Sequence, residues 1–249
     1  MTLLDLVGIG LVLALGAALV GLTLSEVRWP TTLRRIAAFD ALDAAIERAV
    51  EAGDRVHFSL GTGSLIGSDC APALAGATAL AKIAEATTMS DRPVVASAGD
   101  GALAVVAQDA LRGAYARTGA KEHYRATTGR MLGPTPFSYV AALPVILSSE
   151  KVSVHVLAGS FGMEGALAAE MGERQRALVL AGTDDVQTQA LFSATAEHSL
   201  VGEEVFSTGA YLQGSSMQRA SLRLQDILRL VLTAVILLGT LLRTLGILA

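Results

Sequence analysis

The residues best suited to chemistry sit in four glycine-containing turns. The first is Gly61-Thr62-Gly63-Ser64-Leu65-Ile66-Gly67, directly after Arg55–Leu60, which reads as a strand. Glycines there let backbone approach a ligand closely, and amides at a following helix start would hold a phosphate or carboxylate. The spacing is GxGxxxG rather than the GxGxxG of dinucleotide sites, and no lysine follows as it would in a GxxxxGKS/T loop. Asp69 also brings negative charge to the supposed anion site. A tight structural turn is the other reading of the same residues.

The strings Ala98-Gly99-Asp100-Gly101, Ala158-Gly159-Ser160-Phe161-Gly162 and Ala181-Gly182-Thr183-Asp184-Asp185 repeat the strand-to-turn arrangement. In open parallel sheets such loops share the carboxyl edge, where ligand crevices form. Convergence would bring together Thr62, Ser64, Asp100, Ser160, Thr183 and Asp184, with Gly61, Gly63, Gly99 and Gly159 admitting close approach. That set could bind a polar ligand, a cofactor or a metal. Alternatively, its Asp and Ser residues accept backbone N–H bonds and cap the helices that follow.

The set names no cofactor, and no metal site or catalytic residue is assigned. The histidines, His57, His123, His155 and His198, lack metal-ligand spacing. His57 and His155 fall inside strand-like segments, as packed sheet residues with a satisfied ring nitrogen. Ser160 is not in a GxSxG elbow. Glu164, Glu203 and Glu204 suit helix starts, where a carboxylate complements the dipole. Glu170 either pairs with Arg174 on the surface or, if buried, is a functional candidate.

Positioning these turns requires a sheet. Phe39, Leu42, Ile46, Ala49 and Val50 share a helical face, and Gly53 supplies a stop. Further helices are expected over Ala71–Thr87, Ala102–Arg117, Phe137–Ser148, Met163–Gly172, Val186–His198 and Glu203–Leu212. Pro93–Ser97, Val152–Gly159 and Ala177–Gly182 read as strands, and Thr118–Pro136 as a polar connection. Continuous apolar strands joined by helices imply an α/β fold, a mostly parallel sheet flanked by helices in a Rossmann-like three-layer arrangement.

The ends of the chain differ from its middle. Leu6–Leu24 and Leu230–Ala249 are apolar, and about 20 such residues cross a hydrocarbon core. The first run lacks a basic amino-terminal flank and is expected to be a retained anchor rather than a signal peptide. Arg28, Arg34 and Arg35 follow the first run, while Arg219, Arg223 and Arg229 precede the second. Basic flanks stay in the cytoplasm. The expected arrangement is thus an anchor at 1–27, a cytoplasmic α/β domain at 28–222 and a second span at 223–249, in the inner membrane with both termini outside.

Arg243 lies close enough to the end of its span for its side chain to snorkel. With 249 residues, a net charge of −4 and no basic patch outside the membrane flanks, nucleic acid is excluded as an expected partner. Aromatic residues make up only 4%, and Ala/Gly-rich surfaces suit subunit packing.

The segments FDALDAAIERAVEAGDRVHFSLGTG, AGSFGMEGALAAEMG, ALVLAGT and HSLVGEEVFSTGAYL, between two terminal spans, resemble a family of uncharacterised bacterial and archaeal membrane proteins, a domain of unknown function. The resemblance implies a membrane-anchored α/β domain and carries over no activity. The leading functional expectation is an oligomerising scaffold or assembly subunit, with the bilayer, further copies of the chain and other membrane proteins as partners. A nucleotide- or anion-binding sensory domain is the alternative, and a tethered hydrolase or transferase the third.

Overall fold

The computed structural model describes residues 3–29, 32–67, 70–212 and 214–246. They fall into two compact units, Met1–Leu33 with Gly214–Ala249, and Arg34–Gln213.

The first unit pairs helix α1 (Leu3–Arg28) with helix α9 (Ser216–Thr244). Asp5–Arg28 and Ser216–Thr244 are long and apolar enough to cross a membrane. The residues of α1 withdrawn from the surface include Leu15, Leu19, Leu22 and Glu26, spaced by four, three and four along one face. The fully enclosed Glu26 carboxylate lies 2.9 Å from Arg223 Nη1 and 3.4 Å from Arg219 Nε. Pairing the end of α1 with the start of α9 sets the two helices antiparallel. Gly10, Ala14, Ala17 and Gly21 repeat the same spacing on the opposite, exposed face of α1.

The second unit begins with α2 (Ala37–Ala52), whose buried residues include Phe39, Leu42, Ile46 and Ala49. It ends where Gly53 turns left-handed at φ 69°, a conformation that costs glycine nothing. Then follow β1 (Arg55–Gly61), α3 (Ala71–Thr87), β2 (Val95–Ala98), α4 (Gly101–Arg117), β3 (Gly129–Met131) and α5 (Pro136–Ser149). The chain continues through β4 (Val152–Ser160), α6 (Glu164–Arg174), β5 (Leu178–Gly182), α7 (Val186–Thr195), β6 (His198–Leu200) and α8 (Glu204–Tyr211).

The strands form one sheet in the order β3-β2-β1-β4-β5-β6, with every described pairing parallel. One apolar cluster joins α2, α3, α4 and α8 to the Val56, Phe58 and Leu60 face of β1. The other joins α5, α6 and α7 to the opposite face through Tyr139, Leu143, Ala168, Ala169 and Phe192. Helices therefore cover both faces, which a parallel sheet requires.

Two short strands depart from the sequence expectation. β3 lies inside the segment expected as a polar connection, and β6 starts at His198, the last residue of the expected helix Val186–His198, whereas the helix itself ends at Thr195. Each is a three-residue edge strand. Such a strand is defined by its neighbour's free edge, Ala96–Ala98 for β3 and Leu180–Gly182 for β6, not by periodicity of its own.

At the centre, β1 and β4 meet almost backbone to backbone. A Cβ on Gly159 would lie 2.0 Å from the Leu60 carbonyl oxygen, one on Gly61 2.0 Å from that of Ser160, and one on Gly76 of α3 2.0 Å from that of Ala158. Gly159→Ala is expected to destabilise the protein by at least about 2 kcal/mol, because backbone must move to admit the methyl group. Gly119→Ala, at φ 76° with open space around it, should cost only about 1 kcal/mol. Thermal or denaturant unfolding of the two variants checks the difference; equal losses would contradict the close-contact account.

Candidate functional site

The sheet order reverses between β1 and β4, because β1 continues to β2 on one side and pairs with β4 on the other. Loops diverging from such a switch point leave a crevice at the carboxyl ends of the strands. A cleft of about 360 Å³ lies there, lined by Thr62 and Gly63 after β1, by Ser160 to Gly162 and Glu164 after β4, and by Asp184 and Asp185 after β5. Four members of the expected set, Thr62, Gly63, Ser160 and Asp184, thus share one site.

The other members have structural duties. Gly61, at φ 94°, and Gly159 form the β1–β4 contact. Buried Gly99 packs on Thr62 and donates its N–H to the Gly61 carbonyl at 2.9 Å. Asp100 caps α4, accepting from Ala102 and Leu103 N–H at 2.9 and 3.0 Å. The Ser64 hydroxyl accepts from Ile66 N–H within its own exposed turn. The buried Thr183 hydroxyl accepts from Phe161 N–H. Asp69 lies outside the described residues.

The amides that would greet an anion are engaged by the chain itself. Thr62 and Gly63 N–H both donate to the Ser160 carbonyl, at 2.9 and 3.1 Å. Glu164 Oε1 accepts from Gly162 N–H at 2.9 Å and from the Thr62 hydroxyl. Asp185 caps α7 by accepting from Thr188 N–H and its hydroxyl, at 2.7 and 2.6 Å. Those bonds hold the Asp185 carboxyl below its ordinary range, the Thr188 hydroxyl having the larger effect. Asp184, beside it, is exposed and makes no hydrogen bond or ion pair among the described residues. The side chains of the cleft thus offer chiefly carboxylate and hydroxyl oxygens, which accept hydrogen bonds.

A larger hollow of about 570 Å³ lies elsewhere, lined in part by Arg48, Asp54, Ser153, Glu173, Arg176 and Glu197. It adjoins the beginnings of β4 and β5, away from the strand ends where ligand loops gather, so size alone does not favour it. Glu170 resolves as a partly exposed partner of Arg174, at 2.7 Å.

Beneath the cleft runs a polar column absent from the sequence expectation. Arg55, His57 and Ser59 alternate with Val56, Phe58 and Leu60 along β1, so they face the α5 side together. Ser59 Oγ lies 2.5 Å from Tyr139 Oη of α5, which reaches Ser97 Oγ of β2 at 2.8 Å. His57 and His155 are register partners whose Nδ1 atoms are 2.8 Å apart, so one ring donates and the other accepts. The strand histidines do pack with one ring nitrogen satisfied, but through each other. Among the described residues, neither buried Nε2 atom makes a geometrically well-formed hydrogen bond. The period-two polar set of β1 was the available signal.

Burial drives both histidines toward the neutral form. His155 is pushed down to about 4, the Ala168 backbone only partly opposing burial. His57 falls well below its ordinary value through burial first, then its neighbours His155 and Arg130. Tyr139 is pushed up to about 12 by burial, which its bonds with Ser59 and Ser97 only partly oppose.

The unfolded chain protonates His57 and His155 near pH 6.5 whereas the folded chain does not. The neutral pair therefore contributes no penalty above pH 6.5, and stability falls as pH drops from there to about 4. Denaturant unfolding at stepped pH should show a shallower acid limb for the double variant His57→Leu/His155→Leu; an unchanged slope would contradict the neutral pair.

No curated protein and no solved structure matches the chain. A family model described as a domain of unknown function, DUF6754, matches residues 5–249. The match runs through both terminal helices and the entire sheet, and the chain belongs to that family.

Proposed function

We propose that this chain is a membrane-anchored sensory domain that binds a small ligand in the switch-point cleft of a Rossmann-like sheet. The observation that carries the reading is the cleft between the β1, β4 and β5 turns, with Thr62, Glu164 and Asp184 at its wall. Its lining favours a ligand that donates hydrogen bonds, a neutral polyol or nucleoside or an amine, over an anion. Carboxylates already take the Gly162 and Thr188 amides, and a phosphate would face Glu164, Asp184 and Asp185. The domain is assigned to the cytoplasmic side of the inner membrane, on the strength of Arg28, Arg34, Arg35, Arg219, Arg223 and Arg229 flanking the two apolar helices.

Thermal unfolding of the full chain in neutral detergent, against nucleosides, sugars and polyamines at millimolar concentration, tests the reading. At least one such compound should raise the midpoint by several degrees, as saturating ligand does. Asp184→Asn should reduce that shift while leaving the ligand-free midpoint in place. No stabilisation by any compound of this class would contradict the proposal.

Assembly is a second reading, favoured by the Gly10, Ala14, Ala17 and Gly21 face of α1. Nothing would meet a Cβ at Gly10 or Gly21 within 4 Å, and small residues let membrane helices approach closely. Chemical crosslinking in native-like bilayers should then trap dimers or higher species, diminished by Gly10→Leu/Gly21→Leu. A monomer at every protein-to-lipid ratio would contradict it.

A further inference from the structure

Away from the cleft, three guanidiniums gather around Glu150, two on its carboxylate and one on its main-chain carbonyl. Arg55 of β1 meets Glu150 Oε2 at 2.6 Å, and Arg130 of β3 meets Oε1 at 2.6 Å. Arg92, just before β2, donates to the Glu150 carbonyl at 3.4 Å. The contributing segments are neighbours because β3, β2 and β1 are adjacent strands and α5 ends at Ser149 over them. Lys151 takes a left-handed φ of 51° directly after Glu150, and its carbonyl accepts from Arg55 N–H at 3.1 Å.

The charges do not balance. Three guanidiniums stand at Glu150 against its single carboxylate, which only two of them contact, and the carboxyl end of α5 adds about half a negative charge. About one and a half positive charges remain. Asp54 and Asp91 neighbour the arginines in sequence, yet neither forms an ion pair with them among the described residues. The cluster is also partly withdrawn from water, with side-chain exposures of 17% at Arg55, 18% at Glu150 and 33% at Arg130. Mutual repulsion is felt there: burial lowers the Arg55 pKa most, and Arg92 and Arg130 lower it further while Glu150 opposes them.

Capacity for another anion is present. Among the described residues Arg92 has only its single long bond to the Glu150 carbonyl, leaving most of its planar fork open. Arg130 spends Nη2 on Glu150 and Nε on the Thr127 carbonyl, leaving Nη1. Two guanidiniums presented together suit a tetrahedral dianion, which accepts several charge-assisted bonds at once.

We propose that Arg92 and Arg130, backed by Arg55 and Glu150, form a phosphate-binding site, occupied by a soluble phosphate compound or by a phosphate-bearing lipid headgroup. Glu150 holds the arginines in place and leaves the excess charge that the phosphate neutralises. The site is independent of the switch-point cleft.

Thermal unfolding of the full chain in neutral detergent, with sodium phosphate against sodium chloride at matched ionic strength, provides the test. The native protein should show a saturable rise specific to phosphate. Arg92→Gln should weaken the half-saturating concentration at least tenfold with its midpoint in chloride nearly unchanged, and Arg92→Lys should fall between. Asp184→Asn should leave the phosphate response intact, which separates this site from the cleft.

In nanodiscs containing phosphatidic acid, loss of the phosphate response would identify the headgroup as occupant, and retention would identify a soluble compound. Equal midpoints in phosphate and chloride, or an Arg92→Gln protein that responds like the native one, would overturn the site.

Discussion

The contact between β1 and β4 is the constraint on which the rest of the sheet depends. At Gly61, Gly76 and Gly159 the approach is so close that one added carbon would sit 2.0 Å from a carbonyl oxygen. Only glycine permits this, and the consequence extends beyond local packing. The contact draws the β1 and β4 turns together where the strand order reverses, and lets the Ser160 carbonyl receive the amides of Thr62 and Gly63. The cleft opens beside that junction, so its walls inherit the rigidity of the central strands rather than the freedom of their loops.

The same two strands carry a second demand. Parallel strands covered by helices are ordinarily apolar on both faces, yet β1 turns Arg55, His57 and Ser59 toward α5. A buried polar group without a partner costs about 1–3 kcal/mol, so each of these side chains gains from at least one partner. Glu150 answers Arg55, His155 answers His57, and Tyr139 answers Ser59 while also tying β2 to α5. These pairings specify which residues of α5 and β4 lie against β1 more narrowly than apolar packing would. They also connect the regions electrostatically: Glu164 at the cleft raises the Tyr139 pKa, and Arg130 of the phosphate cluster lowers that of His57.

Much of this fold was legible in the residues. The Phe39–Ala49 face with its Gly53 stop, the helix Ala71–Thr87 and the buried runs of β4 and β5 announce themselves through periodicity and glycine. β3 and β6 did not, because three-residue edge strands take their definition from a neighbour. The candidate site was legible in outline only. Glycine turns mark the carboxyl edge, but a turn glycine that packs, such as Gly99, looks the same in sequence as one that admits a ligand. Whether Asp100, Asp184 or Asp185 caps a helix depends on side-chain direction, and only Asp184 is left open to the cleft. Pairs such as His57–His155 are separated by 98 positions and become visible only once strand register is known.

The cleft's acid and hydroxyl lining, with the Thr62, Gly63, Gly162 and Thr188 amides bonded within the chain, is the basis for proposing a donor-rich small molecule as its ligand. Hydrogen–deuterium exchange of the full chain in nanodiscs, with and without the compound of that class that stabilises it most, tests this most directly. Added protection is expected only in the turns at residues 61–64, 160–164 and 183–186. Protection located elsewhere, or none at saturating compound, would contradict it.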